Sequence, residues 1–139
     1  LSLSLQLNDN ISFLGHIPRN EVLNILDESE CMIMISKNET FGLVYLEAMG
    51  RGCITIGSKN QGIDGVIIDG TNGFLCNEGD QEELQNIIKK INSLSSEERQ
   101  QISQNAIDTV KKLTDFEAAK KYILEVDKKC NLNEQTKNN

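Results

Sequence analysis

Residues 31–35, CMIMI, form an unbroken apolar run. A strand with one wet face alternates apolar and polar residues, so a run without alternation belongs to a strand covered on both faces, as in a parallel sheet flanked by helices. The rest of the chain supplies those helices. Val22, Leu23, Ile25 and Leu26 recur at helical spacing over 21–29, after Pro18, and Leu43, Leu46, Ala48 and Met49 do so over 41–52. Further strands are expected at 11–14 (ISFL, ending at Gly15) and 53–56, and two very short ones near 66–68 and 74–76, within and after the glycine-rich stretch 57–79. Asp80 begins a helix to about 93, with Glu82 and Glu83 in its first turn, and Ser95 or Ser96 begins another to about 113. A last helix is expected over 115–128, and the polar tail 130–139 is expected to be disordered. This order predicts an α/β fold, a Rossmann-like parallel sheet flanked by helices, occupying residues 1–129. The alternation of Leu1, Leu3, Leu5 and Leu7 reads as a strand entered partway through a domain, hence an expected truncation at the N-terminal edge.

Composition narrows the partners. The 139 residues carry a formal charge of −7, which argues against a nucleic-acid partner, since binding a polyanion requires a basic face. A small phosphate-bearing ligand is still compatible, because backbone amides at a helix start hold anions without basic side chains. The opening segment has neither a basic start nor a continuous apolar run, so it reads as neither signal peptide nor membrane span. Cys31, Cys53, Cys76 and Cys130 lack metal-ligand spacing, and His16 is the only histidine. Buried free thiols in a reducing, cytoplasmic setting are expected, with no metal site.

In a parallel sheet, ligands bind at the carboxyl ends of the strands. Two loops lie there: GHIPRN, with Gly15 and His16, and SKNETFG, which runs from the CMIMI strand into the next helix. In the second, Glu39 falls in the loop, Gly42 at the helix start and Glu47 inside the helix, with seven residues between the glutamates. The amides of Gly42, Leu43 and Val44 are the unsatisfied donors of that helix start, and Gly42 has no side chain to block a ligand. A diphosphate fits there, with a carboxylate on either side for neutral hydroxyls. Spacing alone also allows Glu47 to pair with Arg51 at i+4 on the helix surface, and leaves Glu39 a solvated loop acid.

The run E-T-F-G-L-V-Y-L-E-A-M-G-R-G resembles the signature of glycosyltransferase family four: two glutamates separated by seven residues, Phe-Gly between them and Ala-Met after the second. Phe13-Leu14-Gly15, Ser36 and GIDGVIIDGTNG (62–73) resemble the same family's flanking motifs in the same order, over roughly residues 13–126. The resemblance implies the donor-binding, C-terminal domain of a retaining transferase of the two-domain GT-B type. On it, Glu39 is the catalytic-face residue touching the transferred sugar. The backbone of Phe41, Gly42, Leu43 and Val44 holds the donor diphosphate, and Glu47 accepts hydrogen bonds from the ribose. Gly15 and His16 lie toward the nucleotide. Asp64 stands where relatives often have a glutamate, but G-I-D-G departs from the common G-x-x-E spacing, so its role stays open.

The resemblance further implies a nucleoside diphosphate sugar as donor, no metal, and transfer of a hexosyl or N-acetylhexosaminyl group to a glycan or lipid-linked acceptor, as in surface polysaccharide synthesis. The acceptor-binding domain and the Arg and Lys that neutralise the diphosphate have no counterpart in these residues. The polypeptide alone is therefore expected to be inactive, and any membrane association is expected to run through the missing domain. A non-catalytic nucleotide-sugar-binding module is the alternative; a signalling receiver domain lacks its strand-end aspartates, and a GT-B epimerase is disfavoured by the glutamate spacing.

Overall fold

The structure is a computed structural model and describes residues 10–40 and 42–113. Its elements follow one another as α1 (Arg19–Glu28), β1 (Cys31–Ile33), α2 (Leu43–Gly50), β2 (Ile54–Ser58), β3 (Phe74–Cys76), α3 (Gln81–Ser93) and α4 (Ser96–Lys112). The three strands form one parallel sheet in the order β1-β2-β3. The fold is the Rossmann-like α/β class expected from the sequence. The expected last helix, the tail, Cys130 and the leucine alternation at 1–7 lie outside the described residues.

The period of two along each strand sorts the core into two layers. One face carries Met32 and Met34 of the first strand and its extension, with Leu75; against it pack Tyr45 and Met49 of α2, Ile63 and Ile67 of the loop after β2, and Ala106 and Val110 of α4. The other face carries Cys31, Ile35, Ile54, Ile56, Phe74 and Cys76, covered by Leu84, Ile87, Ile88 and Ile91 of α3 and Ile102 of α4. Along CMIMI, Met32 and Met34 serve one layer and Cys31 and Ile35 the other, but Ile33 is 45% exposed, so β1 is not fully covered on both faces as its unbroken run suggested. A third cluster of Leu26, Ala48 and Cys53 fastens α1 to α2.

Two expectations need correction. Residues 11–14 are not a strand: no described neighbour hydrogen-bonds to them, and Phe13 is 82% exposed. A strand exists only through its ladder, so apolar character alone does not create one. Residues 66–68 are not a strand either. Val66 and Ile67 instead close turns onto the carbonyl of Ile63, at 3.1 and 3.0 Å, with only isolated bridges between Asp64 and Ile67 and between Asp69 and Gly73. This turn drives Ile63 and Ile67 down over β2, where Gly57 leaves room: a Cβ there would lie 2.8 Å from Ile63 Cγ2. The helix starts agree with the sequence. Asp80 accepts the Glu83 amide at 2.9 Å, and Ser95 with Glu98 forms a reciprocal cap.

Among the described residues the thiols of Cys31, Cys53 and Cys76 are free. Burial pushes Cys31 up to about 11, with Cys53 and Glu30 adding to it, and burial likewise raises Cys53 and Cys76. They behave as small apolar core groups.

At the carboxyl end of β2, Lys59 pairs with Glu83 of α3, whose other oxygen accepts the Asn77 amide at 2.6 Å. The Lys59 hydrogen bond, then the Asn77 amide, lowers the Glu83 carboxyl from 4.5 to about 2. Since the folded value lies below the unfolded one, this tie stabilises the fold fully above pH 4.5 and is lost as the pH falls toward 2. Urea midpoints measured across that window are expected to fall more steeply for the natural chain than for Glu83→Gln; superimposable profiles would contradict the assignment.

Candidate functional site

The carboxyl edge of the sheet gathers the loop 34–42, the start of α2 and the loop after β2. Beyond β1 the chain keeps its bond to β2, with the Met34 amide on the Ile56 carbonyl at 3.1 Å. Side chains then take over: the Ser36 amide donates to Ser58 Oγ at 2.8 Å, and that hydroxyl donates back to the Ser36 carbonyl at 2.9 Å. Two more bonds clamp the loop at Glu39, whose amide donates to Gln61 Oε1 at 3.0 Å and whose carbonyl accepts the Gly62 amide at 3.2 Å. Glu39 is half-buried. Among the described residues its carboxylate has no hydrogen-bond or salt-bridge partner, so its backbone is held while its acid is left available.

The start of α2 is an open one. No side chain caps it. The Tyr45 amide closes back on the Gly42 carbonyl at 3.0 Å, and the amides of Gly42, Leu43 and Val44 have no hydrogen-bond partner among the described residues. Leu43 is 67% exposed at this end. Aligned amides and the helix dipole make such a turn an anion site. Phe41, which the sequence places beside it, lies outside the described residues.

Gly42 has a different reason to be glycine than the one read from sequence. Its φ is +64°, and a Cβ would stand 2.7 Å from the Tyr45 ring and 3.3 Å from Met34 Cε. The space a side chain would take is filled by the protein's own tyrosine. Tyr45 is fully buried, and its hydroxyl donates to the Met34 carbonyl at 2.6 Å, which leaves Ser36 Oγ as the donor of the longer 3.4 Å contact between the two hydroxyls.

Glu47 sits one turn into α2. Its side chain is 19% exposed, and its carboxylate meets Arg19, the first residue of α1, whose Nε lies 3.0 Å from Oε1 and whose Nη2 reaches the same oxygen. The i+4 alternative does not form: Arg51 turns to Asp27 at 2.9 Å. Helical side chains lean toward the N-terminus, so Glu47 leans back along α2 toward its start. Gly15, with φ +63°, and His16 are exposed at the entry to α1. Asp64 serves its own loop, accepting the Asn60 amide at 2.7 Å. Sequence reading missed Arg19, Tyr45, Ser58 and Gln61. Only Tyr45 carried a signal, as an aromatic three residues after a helix-start glycine.

The fold is that of a GT-B-type glycosyltransferase domain. The chain belongs to the family described as "Glycosyl transferases group 1", whose sequence profile matches residues 1–109. It is 42% identical over 77 residues to the N-acetyl-alpha-D-glucosaminyl L-malate synthase of Bacillus anthracis, covering 55% of this chain and 20% of that protein. It is 28% identical over 102 residues to the alpha-1,3/1,6-mannosyltransferase alg-2 of Neurospora crassa, covering 73% and 22%. The chain thus spans about a fifth of those relatives' length. Among solved structures, Anabaena HepE in complex with UDP and glucose superposes with a TM-score of 0.77 at 26% identity, covering 92% of this chain and 34% of that one. The C-terminal domain of a glycosyl transferase group 1 family protein (LpcC) from Francisella tularensis gives 0.71 at 29% identity, covering 79% and 56%.

Gly42→Ala is expected to cost at least about 1–2 kcal/mol of stability, from the left-handed backbone and the collision with Tyr45. Chemical denaturation measures this; an unchanged midpoint would show that the tyrosine ring does not occupy that space.

Proposed function

We propose that this chain is the C-terminal, donor-binding domain of a family-four, retaining glycosyltransferase, which moves a hexosyl or N-acetylhexosaminyl group from a nucleoside diphosphate sugar to a glycan or lipid-linked acceptor. The observation that carries the reading is the open start of α2 at the carboxyl edge, with the unengaged Glu39 carboxylate in the loop before it and Glu47 one turn inside. The likeness to HepE, solved with UDP and glucose, supports a uridine or related nucleotide donor.

In this proposal the diphosphate lies on the amides of Gly42, Leu43 and Val44, with the backbone of Phe41 beside them. As the bond from the sugar's anomeric carbon to the β-phosphate oxygen breaks, charge grows on the phosphate, and the preorganised amides stabilise it; one such donor is worth about 10²–10³ in rate. Glu39 accepts hydrogen bonds from the sugar's hydroxyls on the face where transfer occurs. Glu47 accepts from the ribose, and Gly15 and His16 border the base. No metal is needed for this charge distribution. The acceptor site comes from the preceding domain of the same protein, which also provides any contact with a membrane. The Arg and Lys that neutralise the diphosphate come from an opening strand and helix of the donor domain itself. A role in surface polysaccharide synthesis in the cytoplasm fits the family resemblance. Among the described residues, no helix is long and apolar enough to cross a membrane.

Calorimetric titration of the natural full-length protein with a panel of nucleoside diphosphate sugars is expected to identify one tight donor. Glu47→Ala should weaken every donor by about 10- to 100-fold, the value of a hydrogen bond to a charged acceptor. Unchanged affinity would remove Glu47 from the site, and donor binding without transfer would favour a non-catalytic binding module. The 139-residue polypeptide assayed alone is expected to give no transfer; turnover near that of the full-length protein would contradict the two-domain division of labour.

A further inference from the structure

Arg19 is placed where a helix does not favour it. It is the first residue of α1, at the positive end of the helix dipole, where a cation is unfavourable. It is 77% exposed, so it contributes little to packing. Its guanidinium nevertheless spans 28 positions of sequence to Glu47, placing Nε and Nη2 on one carboxylate oxygen. A fork of two donors fixes an acceptor's orientation where a single flexible ammonium would not.

The state of the other carboxylate oxygen gives this arrangement its use. Glu47 Oε2 has no hydrogen-bond partner among the described residues. No half-buried or buried side chain among them hides an unpartnered polar atom from solvent, so Oε2 is not sealed off from solvent. Arg51, one turn further along α2, is already engaged, since it pairs with Asp27 at the far end of α1. Glu47 is thus held on one side by an exposed guanidinium and presents one accessible, anionic acceptor on the other. An unpaired carboxylate at 19% exposure would instead rotate toward whatever donor or water it could reach.

We propose that Arg19 is a positioning residue for nucleotide recognition: by binding Oε1 of Glu47 it aims Oε2 at the 2′- and 3′-hydroxyls of a ribose, and so makes the site select ribonucleotides over nucleotides lacking that diol. This rests on the ribose role given to Glu47 above and adds to it the residue that sets its geometry and the chemical feature it selects. The guanidinium touches the carboxylate and not the sugar, so its loss acts on the ribose contact alone.

The test is calorimetry on the natural full-length protein with UDP and GDP and with their 2′,3′-dideoxy counterparts. The unaltered protein is expected to prefer the ribonucleotide by about 10-fold or more, as hydrogen bonds to a charged acceptor imply. Arg19→Ala should lose most of that preference by weakening the ribonucleotide while leaving the dideoxy compound unchanged. Arg19→Gln, which keeps the side chain's bulk, should do the same and guards against a folding defect in the first variant. Combining Arg19→Ala with Glu47→Ala should be no worse than Glu47→Ala alone, the non-additivity expected of two residues acting through one contact. If Glu47→Ala leaves the preference intact, the ribose assignment fails and this proposal with it. If Glu47→Ala abolishes the preference but both Arg19 variants retain it, the ribose assignment stands and the role given to Arg19 is overturned. Equal weakening of both nucleotide classes by the Arg19 variants would reduce the pair to a tie between α1 and α2. Tighter ribonucleotide binding would make Arg19 a competitor of the ligand; either result overturns the proposal.

Discussion

The start of α2 must be held against the sheet at a set distance and angle, and one buried side chain does most of this. Tyr45 anchors its hydroxyl on the Met34 carbonyl, just past β1, at 2.6 Å. Its ring fills the place of the side chain that Gly42 lacks and rests over Gly57 of β2. The same residue therefore joins helix, strand extension and neighbouring strand. Gly42 can turn through a left-handed conformation because the ring lies where a Cβ would be. Every property ascribed to the open helix start depends on this contact, because amides bind an anion well only when they need not reorganise to do so.

Around that anchor the loop is secured by its backbone and leaves its acids available. Ser58 exchanges two hydrogen bonds with Ser36, and Gln61 and Gly62 hold the main chain of Glu39. None of these bonds consumes the Glu39 carboxylate. Ser58 is fully buried and its hydroxyl is satisfied on both sides, so it extends the ladder between β1 and β2 without orphaning a polar group. On the far side of the sheet the requirements differ: Ile54, Ile56, Phe74 and Cys76 meet an apolar face of α3 and contribute area rather than geometry.

The ion pairs divide in a related way. Lys59 with Glu83 joins the end of β2 to the first turn of α3, and Asp27 with Arg51 joins α1 to the end of α2. Both neutralise their partners where no ligand is proposed. Arg19 with Glu47 engages one carboxylate oxygen and leaves the other without a partner among the described residues. Exposed pairs of this kind contribute little to stability, so their placement matters more than their strength.

Much of this protein was legible in its sequence. The unbroken CMIMI run, the helical spacings of 43–49, and the caps at Asp80 and Ser95 are local signals, decided by side-chain period and by short-range competition for backbone donors, and the structure follows them. The loop-to-helix placement of Glu39, Gly42 and Glu47 was equally visible, because it depends on spacing along one segment. Tertiary structure alone decided the rest. Apolar character at 11–14 and 66–68 did not tell whether a partner strand would be present, since a ladder needs a neighbour. Spacing favoured Arg51 as the partner of Glu47, but α1 brought Arg19 within reach and Asp27 took Arg51 instead. Gly42 looked open for a ligand until Tyr45 folded back across it. For Glu47 the deciding atom came from a residue 28 positions away; Tyr45 is close to Gly42 in sequence, but its ring is fixed by Met34 and Gly57, through the packing of helix on sheet.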